Sequence, residues 1–223
     1  MKAIQITAFG GPDVMKYVDL ADPVAGTDEV VLDVTAVGIN YADTHQTENS
    51  YLSPQTLPMI PGIEVVGTHA GKRYLASVSS GGYAQKAIAH TSVLFPIPDA
   101  VTDEQALCML VQGATAWHLL KTMGNLQKGQ SVVVHAAAGG VGTIAIQLAK
   151  MWGGKVIAVT SSDAKAALAK SLGADITVDA QSSDLTAALR EANGGHGVDL
   201  VLEMVGGTTF DHSLAALGAF GKI

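Results

Sequence analysis

The chain has 223 residues, of which 48% are hydrophobic and 15% charged. That is too apolar for a disordered segment and long enough to bury a core without disulfide or metal staples. Thirteen Lys and Arg against twenty Asp and Glu give a net charge of −7, which argues against broad nucleic-acid or anionic-membrane binding.

The start, Met1-Lys2-Ala3-Ile4, lacks the apolar stretch of a signal peptide. No uninterrupted run of about 18 apolar residues follows, so no membrane span is expected and the cytoplasm is the expected location. Lys2–Thr7, Glu29–Val37, Glu64–His69, Arg73–Val78 and Tyr83–Ile88 are short apolar runs between turn residues and read as strands. All seven prolines fall within this first hundred. Residues 1–100 are therefore expected to form a mostly antiparallel β unit, with Phe95–Asp99 as an extended connector.

Thr102 then opens a helix as N-cap, with Gln105 in the capping-box position. Cys108 follows among Leu107, Met109 and Leu110 and reads as a core residue. As the only cysteine it can form neither an internal disulfide nor a Cys-rich zinc site, which points to a reducing compartment. A helix over Ala114–Thr122 comes next, with Gln112 and Thr115 at its start.

The remainder alternates. Gln130–Ala136, Lys155–Ser161, Asp175–Ala180 and Val198–Val205 are Val- and Ile-rich, as buried parallel strands are. Gly140–Trp152, Ala164–Leu172, Leu185–Asn193 and Thr208–Leu217 have helical periodicity. Residues 101–223 are thus expected to form a Rossmann-type parallel sheet of order 3-2-1-4-5-6. A fifth strand begins at Gly218 and stops at Ile223, so the expectation is a C-terminally incomplete chain. A natural five-strand form is the alternative.

The first turn of this sheet is Val132-Val133-Val134-His135-Ala136-Ala137-Ala138-Gly139-Gly140-Val141-Gly142. Ala136-x-x-Gly139-x-x-Gly142 is a variant of the dinucleotide fingerprint. Small residues let phosphates approach backbone N–H groups, and the helix N-terminus adds donors and a favourable dipole. Strand before and helix after make Ala137, Ala138, Gly139, Gly140, Val141 and Gly142 candidate cofactor contacts. At the second strand's tip, where an NAD site places a carboxylate, the chain has Thr160-Ser161-Ser162 and then Lys165. Hydroxyls and an ammonium suit a 2′-phosphate, so NADPH is preferred to NADH. Asp163 reads as a first-turn helix residue, and Lys165 also reads as a solvated surface lysine.

Together these residues resemble the zinc-independent quinone oxidoreductases, the zeta-crystallin-like branch of the medium-chain dehydrogenase/reductase superfamily. Further matches are Gly38-Ile39-Asn40-Tyr41-Ala42-Asp43, Pro61-Gly62-Ile63-Glu64, Gly81-Gly82-Tyr83-Ala84, Gln112-Gly113-Ala114-Thr115-Ala116 and Val205-Gly206-Gly207. The resemblance implies a GroES-like catalytic domain before the Rossmann domain, with nicotinamide in the cleft between them. It implies quinone or conjugated carbonyl substrates and a full-length homodimer. In the family the end of the chain returns to complete the catalytic domain. Zinc-dependent relatives have Cys near Asn40 and His at Ile63, so no zinc is expected here.

The resemblance also implies site roles. Asn40 reads as an amide near nicotinamide and substrate, or as a turn residue. Tyr51 reads as a proton donor, or as a buried loop anchor. His45 is carried over as a substrate-pocket residue. Gln112, Thr115 and Val205 are carried over as cofactor contacts, with a helix-start hydroxyl as the other reading of Thr115 and a core valine as that of Val205. Glu64 reads as a structural carboxylate. The leading expectation is an NADPH-dependent quinone reductase. The alternatives are an enal or acrylate C=C reductase, a non-catalytic cofactor binder, and an RNA-binding role that the acidic charge disfavours.

Overall fold

Short apolar runs separated by turns give the first half its strands in this computed structural model, which describes residues 1–223. β1 (Lys2–Gln5) and β2 (Lys16–Asp19) pair antiparallel. β3 (Glu29–Val37), β4 (Glu64–His69), β5 (Lys72–Ser77), β6 (Lys86–His90) and β7 (Leu94–Pro96) form an antiparallel sheet of order β6-β3-β4-β5-β7. The β4–β5 turn is Ala70-Gly71, both at positive φ (49° and 76°). Two such residues suit the twist of a tight hairpin. Successive strand residues face opposite sides: Val65 packs with Leu32, Ala76 and Ala87, whereas Val66 packs with Leu75 and Ala106.

Two helices complete this unit, α1 (Tyr41–Glu48) and α2 (Asp103–Cys108). The expected capping box of α2 is present: Gln105 N donates to Thr102 Oγ1 at 3.2 Å, and Thr102 N donates to Gln105 Oε1 at 3.0 Å. The chain divides into compact units Met1–Val111 and Gln112–Ile223, rather than at residue 100. The cause is packing. Ala106 of α2 is buried against Val66 and Leu75, and Val111 N donates to Glu64 Oε2 at 3.0 Å.

In the second unit the strands are β8 (Ser131–Val134), β9 (Lys155–Thr160), β10 (Ile176–Asp179), β11 (Val198–Leu202) and β12 (Leu217–Lys222). Their order is β10-β9-β8-β11-β12, and all pairs are parallel. A short helical segment, α3 (Ala114–Trp117), precedes β8. The crossovers carry α4 (Gly140–Met151), α5 (Asp163–Ser171), α6 (Leu185–Ala192) and α7 (Thr208–Ala216). Val132, Val134, Val156 and Ala158 face the core that holds Ala145 and Ile146 of α4. Val133, Ile157 and Val201 face the core that holds Leu185, Leu189 and Ala216. Both faces are covered, which is why these strands are continuous apolar runs; each buried Val or Ile contributes about 1.5–3 kcal/mol. The strand order reverses at β8, and in such sheets ligands bind at the carboxyl ends beside the reversal.

Four local expectations need correction. Thr115 does not start a helix: helical backbone runs on from α2 through wider turns at Met109–Gly113 and His118–Met123. Its hydroxyl therefore has no free helix N-terminus to cap. Cys108 is exposed, because α2 is short and buries Ala106 instead. The strand expected at Tyr83–Ile88 begins at Lys86; before it, Tyr83 and Ala84 bond to β1, with Ile4 N donating to Tyr83 O at 2.8 Å. Lastly, Asn40 is not a simple turn residue but the N-cap of α1.

Candidate functional site

β8 is wholly buried and leads into the turn through His135, whose N–H donates to Leu202 O at 3.1 Å. The chain bends at Ala136, with φ at 45°, and Gly139 N closes the turn on Ala136 O at 2.8 Å. α4 then begins with Gly139 as N-cap and without a side-chain cap. Its first N–H groups are thus left to the backbone end itself, an arrangement that accepts anions. A Cβ on Gly142 would lie 2.5 Å from Ala136 O, so the helix packs directly on the turn. Gly140 leaves the space in which the Gln112 amide rests.

A cavity of about 400 Å³ opens here. Of the residues anticipated from sequence, Ala137, Ala138, Gly139, Thr160, Ser161, Lys165 and Val205 line it. Lys165 Nζ donates to Ser161 Oγ at 3.1 Å. No carboxylate lines this cavity. Asp163 and Asp179 instead line an adjoining one of about 280 Å³, together with Ser162. Ser162 caps α5, accepting from Lys165 N at 3.4 Å. Gly140, Val141 and Gly142 lie in α4 behind the turn, and neither Gln112 nor the exposed Thr115 is among the lining residues.

Residues not anticipated also line the cavity: His135, Val159, Ala180, Gln181, Leu185 and Thr209. Ala180 and Gln181 follow β10, and Ala180 N donates to Thr160 O at 2.8 Å. The signal available for them was topological, since every strand of such a sheet ends on the ligand side. His135 is buried, with Nε2 at 2.8 Å from Ser213 Oγ. Burial holds its imidazole pKa below the usual value, and Glu203 pulls partly the other way. The Glu203 carboxylate accepts from Val205 N at 2.7 Å and Gly206 N at 3.1 Å.

In the first unit, Asn40 joins a buried polar network. Asn40 N donates to Asp43 Oδ2 at 2.8 Å, and Asn40 Nδ2 donates to Glu64 Oε1 at 2.8 Å. Tyr83 OH donates to Asp43 Oδ2 at 2.7 Å. Burial pushes the Glu64 carboxyl up from its ordinary pKa; donation from Asn40 and Val111 opposes this, and Asp43 adds to it. Burial and the bond to Asp43 push the Tyr83 phenol up as well. Gly38 leaves the space the Glu64 carboxylate fills. Tyr51 lies beyond α1 and is 37% exposed, so it is not a buried anchor. His45 Nδ1 meets Ser50 Oγ at 2.9 Å, and its ring stands edge-on to Tyr41. Val205 is exposed rather than a core valine. No three His, Cys, Asp or Glu side chains gather in a way that would hold a metal ion. No helix is long and apolar enough to cross a membrane.

Two family models match the chain: an alcohol dehydrogenase GroES-like domain over residues 26–71, and a zinc-binding dehydrogenase over residues 140–223. A quinone oxidoreductase of Pseudomonas aeruginosa is 33% identical, over 100% of this chain and 72% of its own length. The structure of Thermus thermophilus quinone oxidoreductase, solved with and without NADPH, matches with TM-score 0.90 and 38% identity, over 99% of this chain and 72% of that one. Escherichia coli quinone oxidoreductase complexed with NADPH matches with TM-score 0.92 and 31% identity, over 99% and 71%.

Proposed function

Because the chain belongs to the quinone oxidoreductase branch of the medium-chain dehydrogenase/reductase superfamily, we propose that it is an NADPH-dependent reductase of quinones or related conjugated carbonyl compounds that works without metal. The observation carrying this reading is one cavity that joins the bare Ala136–Gly139 turn to the Lys165–Ser161 pair. The turn suits a pyrophosphate, and the pair suits a phosphate ester beyond it.

In this reading Ala137, Ala138 and Gly139 admit the pyrophosphate to the first N–H groups of α4, at Gly140, Val141 and Gly142. Thr160, Ser161 and Lys165 hold the 2′-phosphate, with Ser162 at the edge of the neighbouring cavity. The ammonium and hydroxyls donate to it, and the carboxylates of Asp163 and Asp179 border the neighbouring cavity instead. Gln112, Thr115 and Val205 border the nicotinamide end. When bound, the coenzyme supplies a hydride to the acceptor. Asn40 steadies the oxygen on which negative charge develops, its amide oriented by the hydrogen bond to Glu64 Oε1. Tyr51 supplies the single proton that, with the hydride, completes a quinol.

The test is a fluorescence titration with NADPH beside an NADPH-consumption assay over a panel of quinones and enones. Saturable binding with oxidation by quinones supports the proposal. Binding without oxidation by any acceptor favours the non-catalytic reading, and no binding at all overturns both.

A further inference from the structure

His135 is the one buried imidazole that lines the cavity, and the roles above do not use it. It stands where β8 leaves the sheet, with its N–H bonded to β11 through Leu202 O. Its ring reaches Ser213 on α7, 78 residues away in sequence, and both side chains are almost fully buried.

Between β11 and Ser213 the chain forms one wall of the cavity, to which Val205 and Thr209 contribute. α6 holds α7 from outside, with Thr186 Oγ1 donating to His212 O at 3.1 Å and Arg190 Nη2 to Ala215 O at 2.9 Å; two contacts tie the wall to the cavity side. At its start, Glu203 gathers the N–H groups of Val205 and Gly206. Gly206 and Gly207 follow at positive φ (77° and 58°), conformations that glycine adopts without strain. At its far end, Ser213 grips the His135 ring at 2.8 Å.

Resting on the reading of this cavity as the coenzyme site, we infer that His135 is a positioning residue: through Ser213 it sets where α7 and the Val205–Thr209 wall stand against the phosphate turn. It acts through the wall and takes no part in hydride or proton transfer. Without the hydroxyl the imidazole nitrogen is left buried and unsatisfied, and the cavity side of α7 loses its tie to the phosphate turn while α6 still holds its outer side.

The experiment measures the NADPH dissociation constant of wild type, Ser213→Ala and His135→Gln, with the thermal midpoint of each. Glutamine keeps a hydrogen-bonding atom near the place of Nε2. Alanine is a better helix former than serine within α7, so a loss of affinity in Ser213→Ala is not a loss of helix. The expected result is about a tenfold rise in Kd for Ser213→Ala and recovery to within about threefold of wild type for His135→Gln. Unchanged affinity in Ser213→Ala overturns the inference and leaves the functional reading standing. Equal weakening in both variants, in step with their thermal midpoints, also overturns it, since the pair would then be merely structural. Wild type that binds no NADPH removes the functional reading and the inference together.

Discussion

Gly142 and Ala136 are in direct contact: a Cβ on Gly142 would lie 2.5 Å from the Ala136 carbonyl oxygen and 2.7 Å from Ala137 Cα. Both obstacles are backbone, which cannot rotate away. Gly142→Ala should therefore lose about 1–3 kcal/mol of stability by overpacking. Gly139 differs. Its φ is −84°, and an added Cβ would come only to 3.1 Å from Ala136 O. Gly139→Ala should cost less stability than Gly142→Ala, about 1 kcal/mol, but weaken NADPH about tenfold, since in the proposed function the methyl would meet the pyrophosphate. Urea denaturation and NADPH titration of both variants separate packing from binding.

Glu64 gives a second prediction. Oε1 accepts from Asn40 Nδ2, and Oε2 accepts from Val111 N. A glutamine must turn its NH₂ towards one of these donors. Glu64→Gln should therefore destabilise the first unit by about 1–3 kcal/mol, although it removes a buried charge. A denaturation midpoint at or above that of wild type would show that desolvation outweighs the two hydrogen bonds.

The contrast between β8–β9 and α1 shows what the sequence made legible. Val132–Val134 and Val156–Val159 are apolar without alternation because both faces of the sheet are covered, so the strand–turn–helix at Ala136–Gly142 could be placed in advance. The same topology located Thr160 and Ser161 at the tip of β9, with Lys165 in the first turn of α5. α1 was not legible. Its residues Tyr41–Glu48 carry no apolar stripe, and it buries Asp43, Gln46 and Thr47 instead. Its start at Asn40 depends on a capping box and on Glu64, 24 residues away in sequence. His135 and Ser213 are each unremarkable locally, and only the packing of α7 makes them partners. The expected boundary at residue 100 followed proline content, whereas the observed one follows the burial of Ala106 and the bond from Val111 to Glu64.

The buried imidazole sets a pH dependence of known sign. Burial holds the pKa of His135 below its ordinary 6.5 in the folded chain. As pH falls the unfolded chain takes up this proton first, so the unfolded state binds more protons and is favoured. The contribution is thus fully present above about pH 6.5 and declines as pH falls from there towards the lowered folded value. The difference in thermal midpoint between wild type and His135→Gln should shrink or reverse over that fall. A pH-independent difference would mean that His135 does not titrate with unfolding.

In the proposed function the cavity at the ends of β8 and β9 holds NADPH, with Lys165 and Ser161 at its 2′-phosphate. The most direct measurement is the dissociation constant for NADPH beside that for NADH, in wild type and Lys165→Ala. Wild type should prefer NADPH, and the variant should bind NADPH about tenfold or more weakly while its NADH affinity stays unchanged. An undiminished preference for NADPH in Lys165→Ala would contradict the assignment of the phosphate to this end of the cavity.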